Sequence, residues 1–532
     1  MKRSVFLLCV LALSASMVFG SGNQQGAAPV SAPSSPTGWV TYPIKTDVTL
    51  TFWTDINANL APNFTNYSEV PFYQGWTERT GVKITYLHPP AGPGYTEQFN
   101  LMVASGDMPD IIRYDILPTY PGGPEKAISD GTILRLNDIL DKYAPNLKDV
   151  FAKHPDYDRM VKTDNGSYFC FPNIREDPFL CTWQGLQIRK DWLDDLGLKT
   201  PVTFSDWHDV LTAFKTKKNS SAPLTLPFNG TAFMYGYGID SGFYVGDDGK
   251  VVWGRAQPAY RDYLVMMAQW YKEGLLDPDT ATISSTQMVT KITNGTSGAI
   301  HGALNSGMGV WLPSGRSTDP KFELMGVKNP VINNGDNLTM INIDNPYSGG
   351  NGCVSLGGPC KYPDIAARFL DWDYSQEGYM YHNFGIEGVS YNMINGYPTY
   401  TDLVMKNPNG LPIGQALAMY QQSSYGGPHL QSVDYFKQAL AWPEQRQALV
   451  NWAIDDPFKH KLPPVTTTPD ESKESASIMN DINTYADEMM VKFILGTEPI
   501  SNYDTYISTL KKMGIDRAVE IQNAALVRYK AR

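Results

Sequence analysis

Residues 48–53, which read VTLTFW, begin the pattern that decides the fold. This run alternates β-branched or apolar residues with Thr, which predicts a first β-strand. A helix is predicted at 73–80, and KITYL at 83–87 predicts a second strand. A helix between two strands within about 40 residues is a βαβ unit, so the sequence indicates an α/β protein with a parallel sheet.

The same alternation continues toward the carboxyl terminus. A helix is predicted at 96–104 and a strand at 110–114, and apolar spacing predicts further helices at 133–143, 205–217, 258–273, 363–374, 471–493 and 515–529. No repeat of about 20 to 50 residues is present, which excludes solenoids and propellers. A chain of 532 residues is too long for one ordinary core and predicts two or more domains.

The amino-terminal residues have the composition of an export signal. Lys2 and Arg3 precede an apolar run at 5–13 and a stretch of small residues, which predicts a signal peptide at 1–20. The apolar run is shorter than the roughly 20 residues that a membrane-spanning helix needs. Residues 21–46 are predicted to be a disordered linker. We therefore expect an exported protein, periplasmic or at the cell surface, and no lipid anchor, because Cys9 lacks the small preceding residue of a lipobox.

Charge and aromatic content narrow the class of partner. The chain has 54 acidic and 43 basic residues, and this acidic excess argues against nucleic acid or an anionic membrane. The aromatic share is 12%, with 12 Trp and 31 Tyr. Flat rings stack on the apolar faces of sugars while the sugar hydroxyls bond to polar side chains, so this composition is compatible with a sugar-binding protein.

The cysteines form two close pairs in the sequence, Cys170 with Cys181 and Cys353 with Cys360. In an exported chain they could form two local disulfides or remain four buried thiols, and spacing alone leaves both open. No Cys/His cluster has metal-ligand spacing, so no metal or cofactor is expected. A Gly-x-Ser-x-Gly elbow, a phosphate loop and a His-Glu-x-x-His motif are also missing from the sequence, which excludes the most recognisable enzyme classes.

Five segments, taken in order, carry a resemblance to a known family. They are MVASGDMPDII at 102–112, DGTILRL at 130–136, GLQIRKDWL at 185–193, KEGLLDP at 272–278 and NFGIEGVSY at 383–391. Together with the region from 462 to 529, they resemble the large extracellular solute-binding proteins of carbohydrate ABC importers, in the long subgroup that binds oligosaccharides or uronate-containing oligosaccharides. The resemblance covers the chain from about residue 47 to its end.

This resemblance implies a type II periplasmic-binding-protein-like fold, with two discontinuous α/β lobes joined by a hinge. Lobe I is predicted at 47–170 with 303–350, and lobe II at 171–302 with 351–532. The ligand would lie between the lobes, and the closed form would be recognised by the membrane permease subunits of the importer. We expect a monomer.

One departure from the family concerns calcium. Several members carry an acidic loop with EF-hand-like spacing after the helix that follows the KDWL segment. The corresponding residues 215–223 contain no carboxylate, so no calcium is expected there.

Candidate ligand contacts follow from strand ends, where α/β lobes place ligands. Trp53 and Asp55 end the first strand, as a ring to stack and a carboxylate to accept sugar hydroxyls, although Trp53 could equally belong to the core. Arg113 ends a later strand. The other candidates are aromatic residues in predicted loops and one glutamate between glycines, namely Trp183, Tyr235, Tyr237, Trp311, Tyr347, Glu387 and Tyr391.

Two alternatives to a transport protein remain at this point. A secreted glycoside hydrolase would need two carboxylates flanking the bond to be cleaved, and no such pair can be singled out, so we expect no enzyme activity. A sugar-sensing receptor would have the same sequence features. If the sugar is acidic, the candidates for binding its carboxylate through bidentate hydrogen bonds are Arg113, Arg175 and Arg316.

Overall fold

The computed structural model describes residues 41–90, 93–226, 232–348, 352–423 and 426–532. The predicted signal peptide and residues 21–40 of the predicted linker lie outside these ranges. Within them, the strands β1 to β15 in chain order are Thr49–Trp53, Lys83–Leu87, Ile111–Arg113, Asn173–Arg175, Gln184–Arg189, Ala222–Thr225, Phe243–Val245, Val251–Trp253, Ser297–Ala303, Leu324–Val327, Tyr347–Ser348, Val354–Leu356, Tyr391–Ile394, Tyr397–Tyr400 and Leu430–Gln431.

The helices of the described ranges surround these strands. From α1 to α22 in chain order they are Pro71–Thr80, Pro93–Ser105, Ile116–Thr119, Gly123–Ser129, Asn137–Tyr143, Pro145–Lys153, Pro155–Met160, Pro178–Cys181, Lys190–Leu196, Phe204–Lys217, Pro258–Lys272, Ser285–Thr293, Gly309–Thr318, Pro363–Asp371, Gln376–Phe384, Asp402–Met405, Ile413–Ala418, Val433–Ala439, Pro443–Trp452, Pro469–Leu495, Tyr503–Met513 and Ile515–Lys530. Among the helices so described, none combines the length and the apolar character that crossing a membrane requires.

The first lobe is built on a sheet with the strand order β12–β3–β1–β2. Strand β1 pairs in parallel with β2 and β3, from Thr49 opposite Lys83 to Trp53 opposite Leu87. The predicted βαβ unit is therefore confirmed. Because the three strands are parallel, their carboxyl ends share one edge, which places Trp53 and Arg113 at the same end of the sheet.

The second lobe is built on a sheet with the order β10–β5–β9–β6. Strand β5 is antiparallel to β9, with Gln184 opposite Ala303, and antiparallel to β10. The carboxyl-terminal helices α20 to α22 pack into the core of this lobe through Ile482, Leu510 and Ala518.

A small third sheet, of order β11–β4–β15, connects the two lobes. Ile174 of β4 lies opposite Tyr347 of β11 on one side and Leu430 of β15 on the other. We call this the hinge sheet. It brings together three chain segments that lie more than 80 residues apart in the sequence.

The sheets contradict part of the predicted division into lobes. Leu324–Val327, predicted in lobe I, pairs with β5 in the second lobe. Val354–Leu356, predicted in lobe II, pairs with β3 in the first lobe. Each is a short apolar run that would fit the edge of either sheet, so its hydrophobic pattern does not say which sheet it joins.

The fold also begins earlier than predicted. The predicted disordered linker extended to residue 46, but Ile44 is buried and its N–H donates to the carbonyl of Thr80 at 2.8 Å. The Tyr42 hydroxyl donates to the carbonyl of Arg368 at 2.7 Å. Residues 42–44 thus pack on the first lobe, and the linker prediction is wrong for them.

Helix boundaries were predicted well where a capping signal exists. The helix predicted at 471–493 is observed as Pro469–Leu495, and its amino end is capped by the Thr468 hydroxyl, which accepts from the Glu471 N–H at 3.3 Å. In contrast, the helix predicted at 133–143 begins only at Asn137. Leu134 instead donates its N–H to the carbonyl of Leu356 at 2.9 Å, a distant contact that has no local signal.

The four cysteines of the described ranges are free thiols. Cys170 does not face Cys181; its sulfur lies 3.6 Å from the Tyr347 hydroxyl, beside Cys353. The two local disulfides that spacing permitted are thus not formed. The alternative of buried free thiols holds for Cys170, Cys181 and Cys353, whereas the free thiol of Cys360 is partly exposed. Burial raises the pKa of the Cys181 thiol to about 12.

Candidate ligand-binding cleft

A cavity of about 260 Å³ opens where the lobes meet the hinge sheet, and we call it the front cavity. The second lobe contributes Trp183 and residues 303–306, and α18 contributes Tyr435 and Phe436. Helix α8 contributes Leu180. The remaining lining residues come from the hinge sheet and the loops beside it, namely Asn173, Arg175, Asp344, Ser423, Gly426 and Gln431.

The strand pleat explains why these hinge residues face the cavity. Side chains alternate along a strand, so Asn173 and Arg175 of β4 point to one face and Ile174 points to the other. Gln431 of β15 lies opposite Arg175 and shares its face. Ile174 is fully buried. The front cavity therefore lies over the polar face of the hinge sheet.

Trp183 is held in place at the mouth of this cavity. Its indole N–H donates to the Asp344 carboxylate at 3.1 Å, and its carbonyl accepts from the Leu304 N–H at 2.9 Å. Nevertheless 41% of the residue is exposed. A ring that is anchored at its polar atom and open on its face is a suitable platform for the apolar face of a sugar.

Arg175 and Asp344 form an ion pair beside this ring, with Nη1 2.8 Å from Oδ2. The arginine side chain is 12% exposed and the aspartate side chain 44%. The Asp344 carboxylate thus holds both the Arg175 guanidinium and the Trp183 indole, and it still reaches solvent. It can accept further hydrogen bonds from a ligand hydroxyl.

The opposite wall is a buried polar network tied to the first lobe. The Ser423 hydroxyl donates to Asn383 Oδ1 at 2.6 Å and lies 2.7 Å from His429 Nε2. The His429 ring stacks on His382, whose Nε2 lies 2.8 Å from the Asp373 carboxylate. Burial lowers the pKa of His382 to about 3, so this imidazole is neutral at physiological pH. These hydrogen bonds fix the wall before any ligand arrives.

The predicted contacts at the end of β1 occupy different environments. Trp53 is buried and stacks on Tyr95, with ring centroids 4.4 Å apart. Its alternative role in the core therefore describes the structure. Asp55 lies 3.7 Å from Arg113, whose side chain is 7% exposed. This pair sits at the edge of the first sheet and does not line the front cavity.

The other predicted aromatics are mostly packed in the interior. Trp311 is buried against Gly302 and Gly307, so the structure places it in the core and not in the cleft. Tyr235 is buried, and Tyr237 stacks on Phe204 with centroids 4.5 Å apart. The rings of Tyr235 and Tyr237 both pack in the second lobe.

The two remaining regions of the prediction also lie away from the front cavity. Tyr391 is buried against Phe384 at the start of a β-hairpin, and Glu387 is exposed beside it. Tyr347 is buried on the apolar face of the hinge sheet. Trp183 is therefore the predicted contact that lines the front cavity, with Arg175 from the arginines considered for an acidic sugar.

Sequence reasoning missed Asp344, Ser423 and Gln431. They lie in segments without a recognisable motif, and they enter the cavity only because β4, β11 and β15 pair across the hinge. Arg316, the third arginine considered, contacts Glu444 and lies over the Trp442 ring at 5.1 Å, so its role is structural. No local signal in the sequence distinguished the residues that line the cavity from Arg316, which does not.

A second cavity, of about 440 Å³, lies on the other face of the hinge sheet, and we call it the rear cavity. Asp115 and Tyr347 line it, together with Ser472 and Ser475 of α20. Asp115 Oδ1 is buried without a hydrogen-bond partner in the described part of the chain, and burial raises the pKa of Asp115 to about 6. The rear cavity is thus an interlobe space distinct from the front one.

Two α/β lobes, a short hinge sheet and an interlobe cavity with an exposed ring are the features of a bilobal solute-binding protein. No family model matches the sequence. The chain is 24% identical to the fructooligosaccharide ABC transporter substrate-binding protein FusA of Streptococcus pneumoniae, over 100% of this chain and 98% of the relative. It is 27% identical to the polygalacturonan/rhamnogalacturonan-binding protein YtcQ of Bacillus subtilis, over 38% of this chain and 40% of the relative.

Solved structures agree with this classification. The alginate-binding protein AlgQ2 without calcium superposes with a TM-score of 0.73 and 25% identity, covering 92% of this chain and 99% of that one. A human-milk-oligosaccharide (HMO) binding solute-binding protein from Bifidobacterium longum infantis superposes with a TM-score of 0.71 and 18% identity, covering 90% and 99%. The predicted two-lobed fold and the resemblance to solute-binding proteins of carbohydrate ABC importers are confirmed.

Proposed function

We propose that the protein binds an oligosaccharide in the front cavity and delivers it to the permease subunits of an ABC importer. The observation that carries this proposal is Trp183, an exposed ring anchored by Asp344 at the junction of the lobes. The polar wall around Ser423 and Gln431 supplies hydrogen-bonding groups on the other side. One relative that spans nearly the whole chain is named as a fructooligosaccharide ABC transporter substrate-binding protein, which supports the same class of ligand.

The proposal includes the absence of catalysis. A glycoside hydrolase needs two carboxylates on either side of the bond that is cleaved, about 5 to 9.5 Å apart. Among the described residues that line the front cavity, Asp344 is the sole carboxylate, and it is paired with Arg175. The charged pair can orient a ligand, but it lacks the second acid that hydrolysis requires.

The proposal also concerns location and assembly. The signal sequence at 1–20 supports export, and Cys9 lies within the apolar run without the residues that favour lipid attachment. We propose that the mature protein works as an unanchored monomer outside the cytoplasmic membrane. Closure of the lobes on the ligand would present the surface that the permease recognises.

The experiment combines binding and turnover on one sample. Purified protein lacking residues 1–20 is titrated with a panel of oligosaccharides while tryptophan fluorescence is recorded, and the same mixtures are analysed by chromatography for products. We expect a saturable fluorescence change, a rise in melting temperature with ligand concentration, and no products. Release of shorter sugars, or failure of every oligosaccharide to bind, would overturn the proposal.

A further inference from the structure

We propose that the oligosaccharide bound in the front cavity is uncharged, and that Asp344 is the residue that excludes uronate-containing sugars. This inference rests on the proposed function and names the substrate class of the same site. It is carried by the charge balance of the cavity, in which Arg175, the sole arginine among the described lining residues, is ion-paired with the carboxylate that orients Trp183.

The first step is the set of charges that line the cavity. Among its described residues, Arg175 is the sole cation and Asp344 the sole anion, and they pair at 2.8 Å. The internal segments outside the described ranges are Ala-Gly at 91–92, Pro-Phe-Asn-Gly-Thr at 227–231, Gly-Gly-Asn at 349–351 and Ser-Tyr at 424–425. None of these residues is charged at neutral pH, so they cannot supply a cation for an acidic ligand.

The second step concerns cations beyond the lining. Arg113 is the arginine at the carboxyl edge of the first sheet, and it lies 3.7 Å from Asp55 with its side chain 7% exposed. On the other side of Arg175 the chain continues with Glu176 and Asp177. Glu176 is exposed and accepts from the Tyr379 hydroxyl at 3.0 Å. The surroundings of the cavity are therefore acidic, and a uronate carboxylate would be repelled.

The third step is the position of Asp344 relative to the platform. A sugar ring stacked on Trp183 lies next to the carboxylate that accepts the indole N–H. An ionised carboxylate is an acceptor only. It therefore accepts hydrogen bonds from the hydroxyl groups of a neutral sugar and repels a second carboxylate. The same residue thus orients the ring, balances Arg175 and selects against acidic units.

The test is isothermal titration calorimetry at low ionic strength with two probes, a neutral fructooligosaccharide mixture and an oligogalacturonate mixture. We expect the wild-type protein to bind neutral oligosaccharides and to bind oligogalacturonate at least about a hundredfold more weakly. Wild-type binding of oligogalacturonate as tight as that of any neutral sugar would overturn this inference and leave the proposed function standing. Failure of both neutral and acidic oligosaccharides to bind would overturn both.

A variant makes the role of Asp344 specific. Asp344→Asn keeps an oxygen that accepts from Trp183 and leaves the Arg175 charge unbalanced. We expect its affinity for oligogalacturonate to rise about tenfold and to weaken with added salt, while neutral sugars lose only a few-fold. Adding Arg175→Gln should cancel the gain, and Asp247→Asn, which removes an exposed charge paired with Lys459, should change neither affinity. An unchanged preference in Asp344→Asn would contradict the assignment, and circular dichroism checks that each variant is folded.

Discussion

The two faces of the hinge join the lobes in different ways. At the front, one ion pair between Arg175 and Asp344 borders an open cavity, and 44% of the aspartate side chain is exposed. At the rear, Asp164 of the first lobe binds Arg528 of α22 and Arg532, which follows that helix in the second lobe. The front contact leaves the Asp344 carboxylate accessible to a ligand, whereas the rear contact uses the Asp164 carboxylate within the protein.

The rear contact, which we call the rear cluster, consists of Asp164, Thr466, Glu471, Arg528 and Arg532. Arg528 Nε lies 2.5 Å from Asp164, and its Nη2 lies 2.5 Å from Glu471. Arg532 Nη2 lies 2.7 Å from Asp164 and 2.7 Å from the Thr466 hydroxyl. The Arg532 side chain is only 2% exposed. Because the charged side chains of this cluster are paired with one another and are at most 29% exposed, while the front is open, we expect the rear cluster to act as the pivot when the lobes close.

The largest expected effect comes from breaking the rear cluster. Asp164→Ala leaves the buried Arg532 guanidinium without its carboxylate, which should lower the free energy of unfolding by about 3 to 5 kcal/mol. Urea unfolding followed by circular dichroism measures this. The control is Asp156→Ala, which removes an exposed partner 3.6 Å from Arg159 and should cost less than about 1 kcal/mol. Equal losses in the two variants would show that the rear cluster stabilises the protein no more than an exposed ion pair does.

The next effect is expected at the front and concerns affinity. Trp183→Ala removes the exposed platform and should weaken oligosaccharide binding by about tenfold or more, since aromatic stacking and the buried apolar area are both lost. The free energy of unfolding should fall by only about 1 kcal/mol, because 41% of the residue is exposed and one hydrogen bond to Asp344 is lost. Calorimetric titration and urea unfolding separate the two quantities. Tyr397→Ala, at an exposed hairpin position, serves as the control, and a similar loss of affinity there would count against the site.

The smallest expected effect is a dependence on pH that belongs to the rear cavity. Burial raises the pKa of Asp115 to about 6, above the value of about 3.9 in an unfolded chain. Between these values the folded state binds more protons than the unfolded state, so the stability that this group contributes is present below pH 4 and is lost as pH rises toward 6 and above. Asp115→Asn should remove this component and flatten the profile.

Urea unfolding of wild type and Asp115→Asn between pH 4 and 7 measures this dependence. The variant should gain stability relative to wild type as pH increases, whereas Asp248→Asn, at an exposed site, should track wild type. A constant difference between wild type and Asp115→Asn across this range would show that burial does not shift the carboxyl group.

Local sequence patterns predicted much of the fold. The strand at 83–87 was predicted with its observed bounds, and the helix predicted at 258–273 is observed as Pro258–Lys272. In both cases the periodicity and the flanking residues act over a few neighbouring positions. The assignment of β10 and β12 to lobes was wrong because strand pairing depends on which sheet edge is vacant, and that is a property of the assembled fold.

The candidate site shows the same difference between what local patterns predict and what the tertiary structure decides. Trp183 and Trp311 are both tryptophans among the predicted ligand contacts, yet one is 41% exposed and the other 4%. The difference arises because Trp311 packs against the bare backbone of Gly302 and Gly307, while Trp183 meets Asp344 across the hinge. Contacts between residues that lie far apart in the sequence decide such exposure.

By itself, the sequence determined the α/β class, the acidic composition and the resemblance to solute-binding proteins, and it predicted an export signal, since these depend on composition, local periodicity and short motifs. Only the tertiary structure decided which residues surround the cleft. The hinge sheet joins residues 173–175, 347–348 and 430–431, and this pairing brings Arg175, Asp344 and Gln431 together. The physical reason is that the geometry of the cleft is created by long-range strand pairing, and a local sequence pattern does not specify which strands pair with each other.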